Sequence, residues 1–99
     1  MDVILLYFDG CPHWMELAAD LETLSAEISG LVVTQQTITS SEQAEATGFG
    51  GSPSLLIDGV DAFIEQGVRV GLACRVYDTP SGPSGAPTID QLRERLTRK

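Results

Sequence analysis

Six consecutive apolar residues, VILLYF at positions 3–8, run without alternation and stop at Asp9-Gly10. An open sheet face would put every second side chain in water. A run with no polar phase therefore belongs to a strand covered on both sides. It is too short for an ordinary helix, and much of it is β-prone. The rest of the chain must then supply the helices that cover it. Ninety-nine residues are enough for one domain, residues 1–99, with a core that needs no staples.

After Asp9-Gly10 the period changes. Trp14, Leu17, Leu21, Leu24 and Ile28 recur at spacings of three and four, with Glu16, Asp20, Thr23 and Glu27 opposite. That spacing predicts an amphipathic helix. Pro12 suits its first turn, Gly30 its end, and Cys11 falls at the expected N-cap. LVVTQQTI (31–38) reads as a second strand. Ser40 with Gln43 three later predicts a capped short helix ending near Gly48. The glycine-rich GFGGSP leads into a third strand, SLLID (54–58), stopped by Asp58-Gly59. LACRVY (72–77) is expected as a fourth strand, and TPSGPSGAP (79–87) as a loop. Thr88 opens a last helix with Ile89, Leu92 and Leu96 on one face. The expected fold class is α/β in the order β-α-β-α-β-β-α, with a central mixed sheet covered by helices. Strands joined by helical crossovers are expected to be parallel.

Charge narrows the partners. The net charge is −8, and residues 1–68 hold eleven Asp and Glu but no Lys or Arg. Such a surface repels phosphate backbones and anionic lipid, so neither nucleic acid nor membrane is an expected partner. Arg93, Arg95, Arg98 and Lys99 crowd the C-terminus, where cations complement a helix dipole. No apolar run approaches the roughly 18 residues of a membrane span, and the acidic start MDVILLYF is unlike a secretory signal. Two cysteines are too few for a disulfide scaffold. The expectation is a cytoplasmic protein with free thiols.

The element order, with a cysteine before the first long helix and GSP before the third strand, resembles the thioredoxin-like family over nearly the whole chain. In that family the motif is C-x-x-C, and a cis-proline opens the third strand beside it. Cys11 matches the first cysteine, and Pro53, preceded by Ser52, matches the proline. Cys11-Pro12-His13 also resembles the start of the C-P-H-C site of periplasmic disulfide oxidants. More narrowly, YFDGCPHW, GFGGSPSLLIDG, GLACRVY and GAPTIDQL resemble small bacterial thioredoxin-family proteins with a GCP-x-W element. Trp14 departs from the pattern, because it stands where the resolving cysteine belongs.

The resemblance implies a thiol-dependent redox protein in which Cys11 alone forms mixed disulfides with a protein or small thiol. An outside thiol would then resolve them. At an N-cap just after the Asp9-Gly10 turn, Cys11 would be exposed and would gain thiolate character from backbone N–H groups. The alternative is a cysteine kept by packing. His13 either lowers the Cys11 pKa or is a bystander on the helix. Trp14 is expected mainly in the core, with its ring near the Cys11 sulfur. Pro12, Trp14 and Ser52 would border the substrate, and the backbone beside Pro53 would pair with an extended ligand. Cys74 is expected to be a buried, inert thiol about 10 Å from the site, at roughly 3.3 Å per strand residue, with no bond to Cys11. The other readings make it a distal resolving thiol or, with Cys11, one arm of a two-thiolate site for a soft ion such as Cu(I), Zn(II) or Hg(II). No cofactor or dedicated metal site is expected. A non-catalytic thioredoxin-like binding module is the other alternative.

Overall fold

The computed structural model describes residues 1–67 and 69–97. Arg98 and Lys99 of the basic tail lie outside them. Strand β1 (Asp2–Tyr7) sits inside a four-stranded mixed sheet of order β2-β1-β3-β4. It pairs in parallel with β2 (Val32–Thr37), from Asp2 opposite Val32 to Tyr7 opposite Thr37. On its other side it pairs antiparallel with β3 (Ser54–Ile57), Leu6 opposite Ser54 and Val3 opposite Ile57. The unbroken apolar run is explained by two cores. Val3 and Leu5 pack with Leu17, Leu21 and Leu24 of α1 (Trp14–Glu27) and with Leu92 and Leu96 of α3 (Ile89–Thr97). Leu6 joins Ile38, Phe49 and Ala44 of α2 (Ser41–Thr47) in the second core. Neighbouring residues of one strand thus feed opposite faces.

The helix ends follow their local chemistry. The Ser40 hydroxyl accepts from Gln43 N, and Gly48 closes α2 at φ +68°. Thr88 and Gln91 form a reciprocal capping box at α3: Gln91 N donates to Thr88 Oγ1 at 3.1 Å, and Thr88 N to Gln91 Oε1 at 2.9 Å.

Three expectations are corrected. First, β3 does not run parallel to β1, although α2 precedes it. It starts beside the C-terminal end of β1 and runs back. Second, residues 72–77 are not the fourth strand. The sheet is completed by β4 (Val60–Asp61), folded onto β3 through Asp58-Gly59 with φ values of +50° and +86°. Two positive φ angles in a two-residue loop match the twist of a hairpin, so the chain turns back at once. Third, the expected 79–87 loop contains structure. Strand β5 (Tyr77–Thr79) pairs antiparallel with β6 (Gly82–Ser84) across Pro80 and Ser81. The described cations of the C-terminus make ion pairs: Arg93 with Glu27 and Asp90, Arg95 with Glu65 and Glu94. Among the described residues no helix is long and apolar enough to cross a membrane.

Candidate functional site

Cys11 lies in the turn that leaves β1, and its N–H donates to Phe8 O at 3.4 Å. It is not the N-cap of α1. That position belongs to His13, which makes no side-chain capping bond. Nor is Cys11 exposed, since its accessible surface is 0%. The turn folds the sulfur inward, where it donates to the Ser52 carbonyl at 3.6 Å. Pro12 and His13 are exposed at the helix start. The imidazole lies against Gly85, so close that a Cβ there would fall 2.4 Å from the ring. Glycine at 85 is therefore what lets the 79–88 region approach the start of α1. The Trp14 ring stacks on Tyr7 at 4.1 Å and belongs to the margin of the larger core.

Ser52 and Pro53 precede β3, joined by a cis peptide as the resemblance implies. Both are buried. Ser52 is the junction of the region. Its hydroxyl accepts from Phe8 N at 3.3 Å. Its N–H donates to Ala73 O at 2.8 Å, and its carbonyl accepts from Arg75 N at 3.0 Å. These bonds form an isolated parallel bridge between Ser52 and Cys74. The backbone that the resemblance offers to an incoming strand is thus occupied by the chain's own residues 73–75. Ser52 is not open to a substrate.

The bridge corrects the placement of Cys74. Both cysteines are attached to one residue, Cys11 through the Ser52 carbonyl and Cys74 through backbone pairing. The Cys74 thiol is pushed above its ordinary pKa, chiefly by hydrogen bonding with Cys11, then by desolvation and the charge of Cys11. The bridge thus brings both cysteines to Ser52, and they are not separated by several residues of strand. Both are free, Cys11 buried and Cys74 exposed. The expected exposures are reversed.

Residue 75 explains the reversal. Arg75 and Tyr77 point inward, so Cys74 and Val76 point out. The Arg75 guanidinium makes two bonds to Asp61, at 2.7 and 3.1 Å, and reaches Ser54 Oγ and Phe63 O. It also lies 4.7 Å from the Tyr77 ring centre. Tyr77 donates to Pro53 O, and burial pushes its phenol pKa well up. A guanidinium buried to 7% exposure is tolerated because Asp61 answers its charge and both terminal nitrogens are hydrogen-bonded. Alternation along residues 72–77 gives two faces, Leu72, Cys74 and Val76 against Ala73, Arg75 and Tyr77. Only Asp61, fourteen positions earlier, decides which face is internal. Arg75 and Asp61 are the residues missed by sequence reasoning, and a cation amid apolar neighbours was the available signal.

Beside Cys74 opens a groove of about 550 Å³, lined by Gly50, Gly51, Gln66, Arg69 and Val76 among others. No cluster of three or more His, Cys, Asp or Glu side chains suited to a metal occurs among the described residues. No protein-family model matches this chain, and no curated protein matches it.

Proposed function

We propose that this protein is a cytoplasmic thiol–disulfide exchange protein of thioredoxin-like type in which Cys74 and Cys11 act as a pair. One observation carries the reading: two free thiols, one exposed and one buried, converge on Ser52. The β1-α1-β2-α2-β3 order, with Pro53 opening β3 near Cys11, supports the thioredoxin-like part. The pair supplies what Trp14 removes from the C-x-x-C motif, a second thiol, from a distant part of the chain.

The exposed thiol must meet the substrate. Cys74 thiolate attacks one sulfur of a substrate disulfide. The other sulfur leaves as a thiolate and takes up a proton. The resulting mixed disulfide is attacked at Cys74 Sγ by Cys11, losing its proton, and the second substrate thiol departs. A Cys11–Cys74 disulfide remains. Two molecules of an outside thiol reduce it and leave as their own disulfide. A raised pKa leaves Cys74 less ionised at neutral pH, while the thiolate that forms is the stronger nucleophile. Turnover should therefore climb into the alkaline range.

The test is reduction of 2-hydroxyethyl disulfide with an added thiol, with mass analysis of each variant. Mild oxidation of the monomer should remove two hydrogens. Cys74→Ser should abolish turnover, and Cys11→Ser should accumulate a mixed disulfide on Cys74. Full turnover by Cys74→Ser would return the reaction to Cys11 alone. Stoichiometric Cu(I) uptake without any turnover would make the pair a soft-metal binder instead.

A further inference from the structure

We infer that the groove beside Cys74 selects small disulfides bearing carboxylates, and that Arg69 is the group that recognises them. The inference rests on the proposed exchange reaction and adds its substrate class. Four arginines lie among the described residues. Arg75, Arg93 and Arg95 are each held by carboxylates. Arg69 is exposed and makes no ion pair with a described carboxylate, yet it lines the same groove as Cys74.

The other polar side chains of that groove are committed. The Gln66 amide donates to Asp78 O and accepts from Asp78 N. Arg75 is bound to Asp61, Ser54 and Phe63. Among the described residues, Arg69 is thus the side-chain cation free to meet a ligand there. Part of the groove wall is backbone. Gly51 has φ +102°, and a Cβ on it would stand 3.0 Å from Arg75 Cβ and 3.1 Å from Ala73 O. Val76, 65% exposed, adds an apolar side. A volume of about 550 Å³ falls in the range of small-molecule sites. The chain carries a net charge of −8, so most of its surface opposes an anion. An open guanidinium beside the exposed thiol reverses that field where the reaction would occur, and its planar donors suit a carboxylate.

Three similar-sized reagents separate charge from thiol reactivity: 3,3′-dithiodipropionate (anionic), 2-hydroxyethyl disulfide (neutral) and cystamine (cationic). The readout is the rate of Cys74 adduct formation in the Cys11→Ser protein at low salt. Arg69→Ala should slow the anionic reagent about three- to fivefold, the effect of one partly exposed ion pair. It should leave the neutral reagent unchanged, and Arg69→Lys should restore much of the loss. Salt near 1 M should erase the difference. Equal rates for all reagents in wild-type and Arg69→Ala backgrounds would overturn this inference and leave the exchange reaction standing. Failure of even the neutral reagent to modify Cys74 would overturn both.

Discussion

The two cysteines occupy regions built on different physics. Cys11 sits where the most regular part of the chain, β1 leading into α1, turns over a close-packed apolar core. Cys74 sits in an irregular segment whose attachment is polar. Ala73 O and Arg75 N on either side of it bond to Ser52, and the Arg75 side chain forms the buried pair with Asp61. Apolar packing is non-directional and tolerates exchange of similar shapes. A buried ion pair is directional, and removing one partner strands the other. The first thiol is placed by a hydrophobic pattern spread over many residues. The second is placed by a few groups, any of which can release it.

The largest expected effect follows from that difference. Arg75→Ala leaves Asp61 partly buried without its cation and should cost about 3 kcal/mol in chemical denaturation. It should also free residues 73–75 from Ser52, so that mild oxidation no longer closes the Cys11–Cys74 bond. The double variant Arg75→Ala/Asp61→Ala should recover part of the stability, because the stranded carboxylate is gone. A loss below about 1 kcal/mol for the single variant would mean that the ion pair does not hold the segment.

A smaller effect probes the contact between the regions. Hydrogen bonding with Cys11 is the leading cause of the raised Cys74 pKa. Cys11→Ala should therefore move the pH midpoint of Cys74 alkylation downward, toward the ordinary thiol value of about 8.5. At a pH between the two midpoints the variant should alkylate faster. The same sign governs stability. A thiol that holds its proton more tightly when folded favours the fold at neutral pH, and that contribution fades as pH rises past the unfolded thiol's pKa. An unchanged midpoint in Cys11→Ala would separate the thiols and undo the pair.

The contrast also explains what could be read from the sequence. Val3–Leu6, the Leu17-Leu21-Leu24 stripe and the caps at Ser40 and Thr88 are local patterns, and each forms as its spacing predicts. The Asp58-Gly59 hairpin is equally local, but a dipeptide that stops a strand also turns it back, and the stop alone does not distinguish the two. Cys74 was illegible for another reason. Its exposure depends on whether Arg75 can be buried, which depends on Asp61 arriving beside it from β4. Cys11 was misplaced by two residues. The helix begins at Trp14, and the turn before it closes inward over Ser52. The α/β class with its mixed sheet is what the local patterns and the structure share.

The smallest expected effect tests whether Ser52 joins the two regions by its side chain or by its backbone. Its hydroxyl accepts from Phe8 N at 3.3 Å. The links to both cysteines run through its N–H and carbonyl. Ser52→Ala removes the first and keeps the second. Leaving one partly buried N–H without its acceptor should cost about 1 kcal/mol in chemical denaturation. The methyl group is smaller than the side chain it replaces, so residues 73–75 need not move. Oxidation should still remove two hydrogens from the monomer, and Cys74 should keep its alkaline midpoint. If Ser52→Ala instead abolishes intramolecular oxidation while the fold persists, the hydroxyl orients the Cys11 turn through Phe8. The positioning of Cys11 would then be as directional as that of Cys74, and the contrast between apolar and polar placement would fail at its closest point.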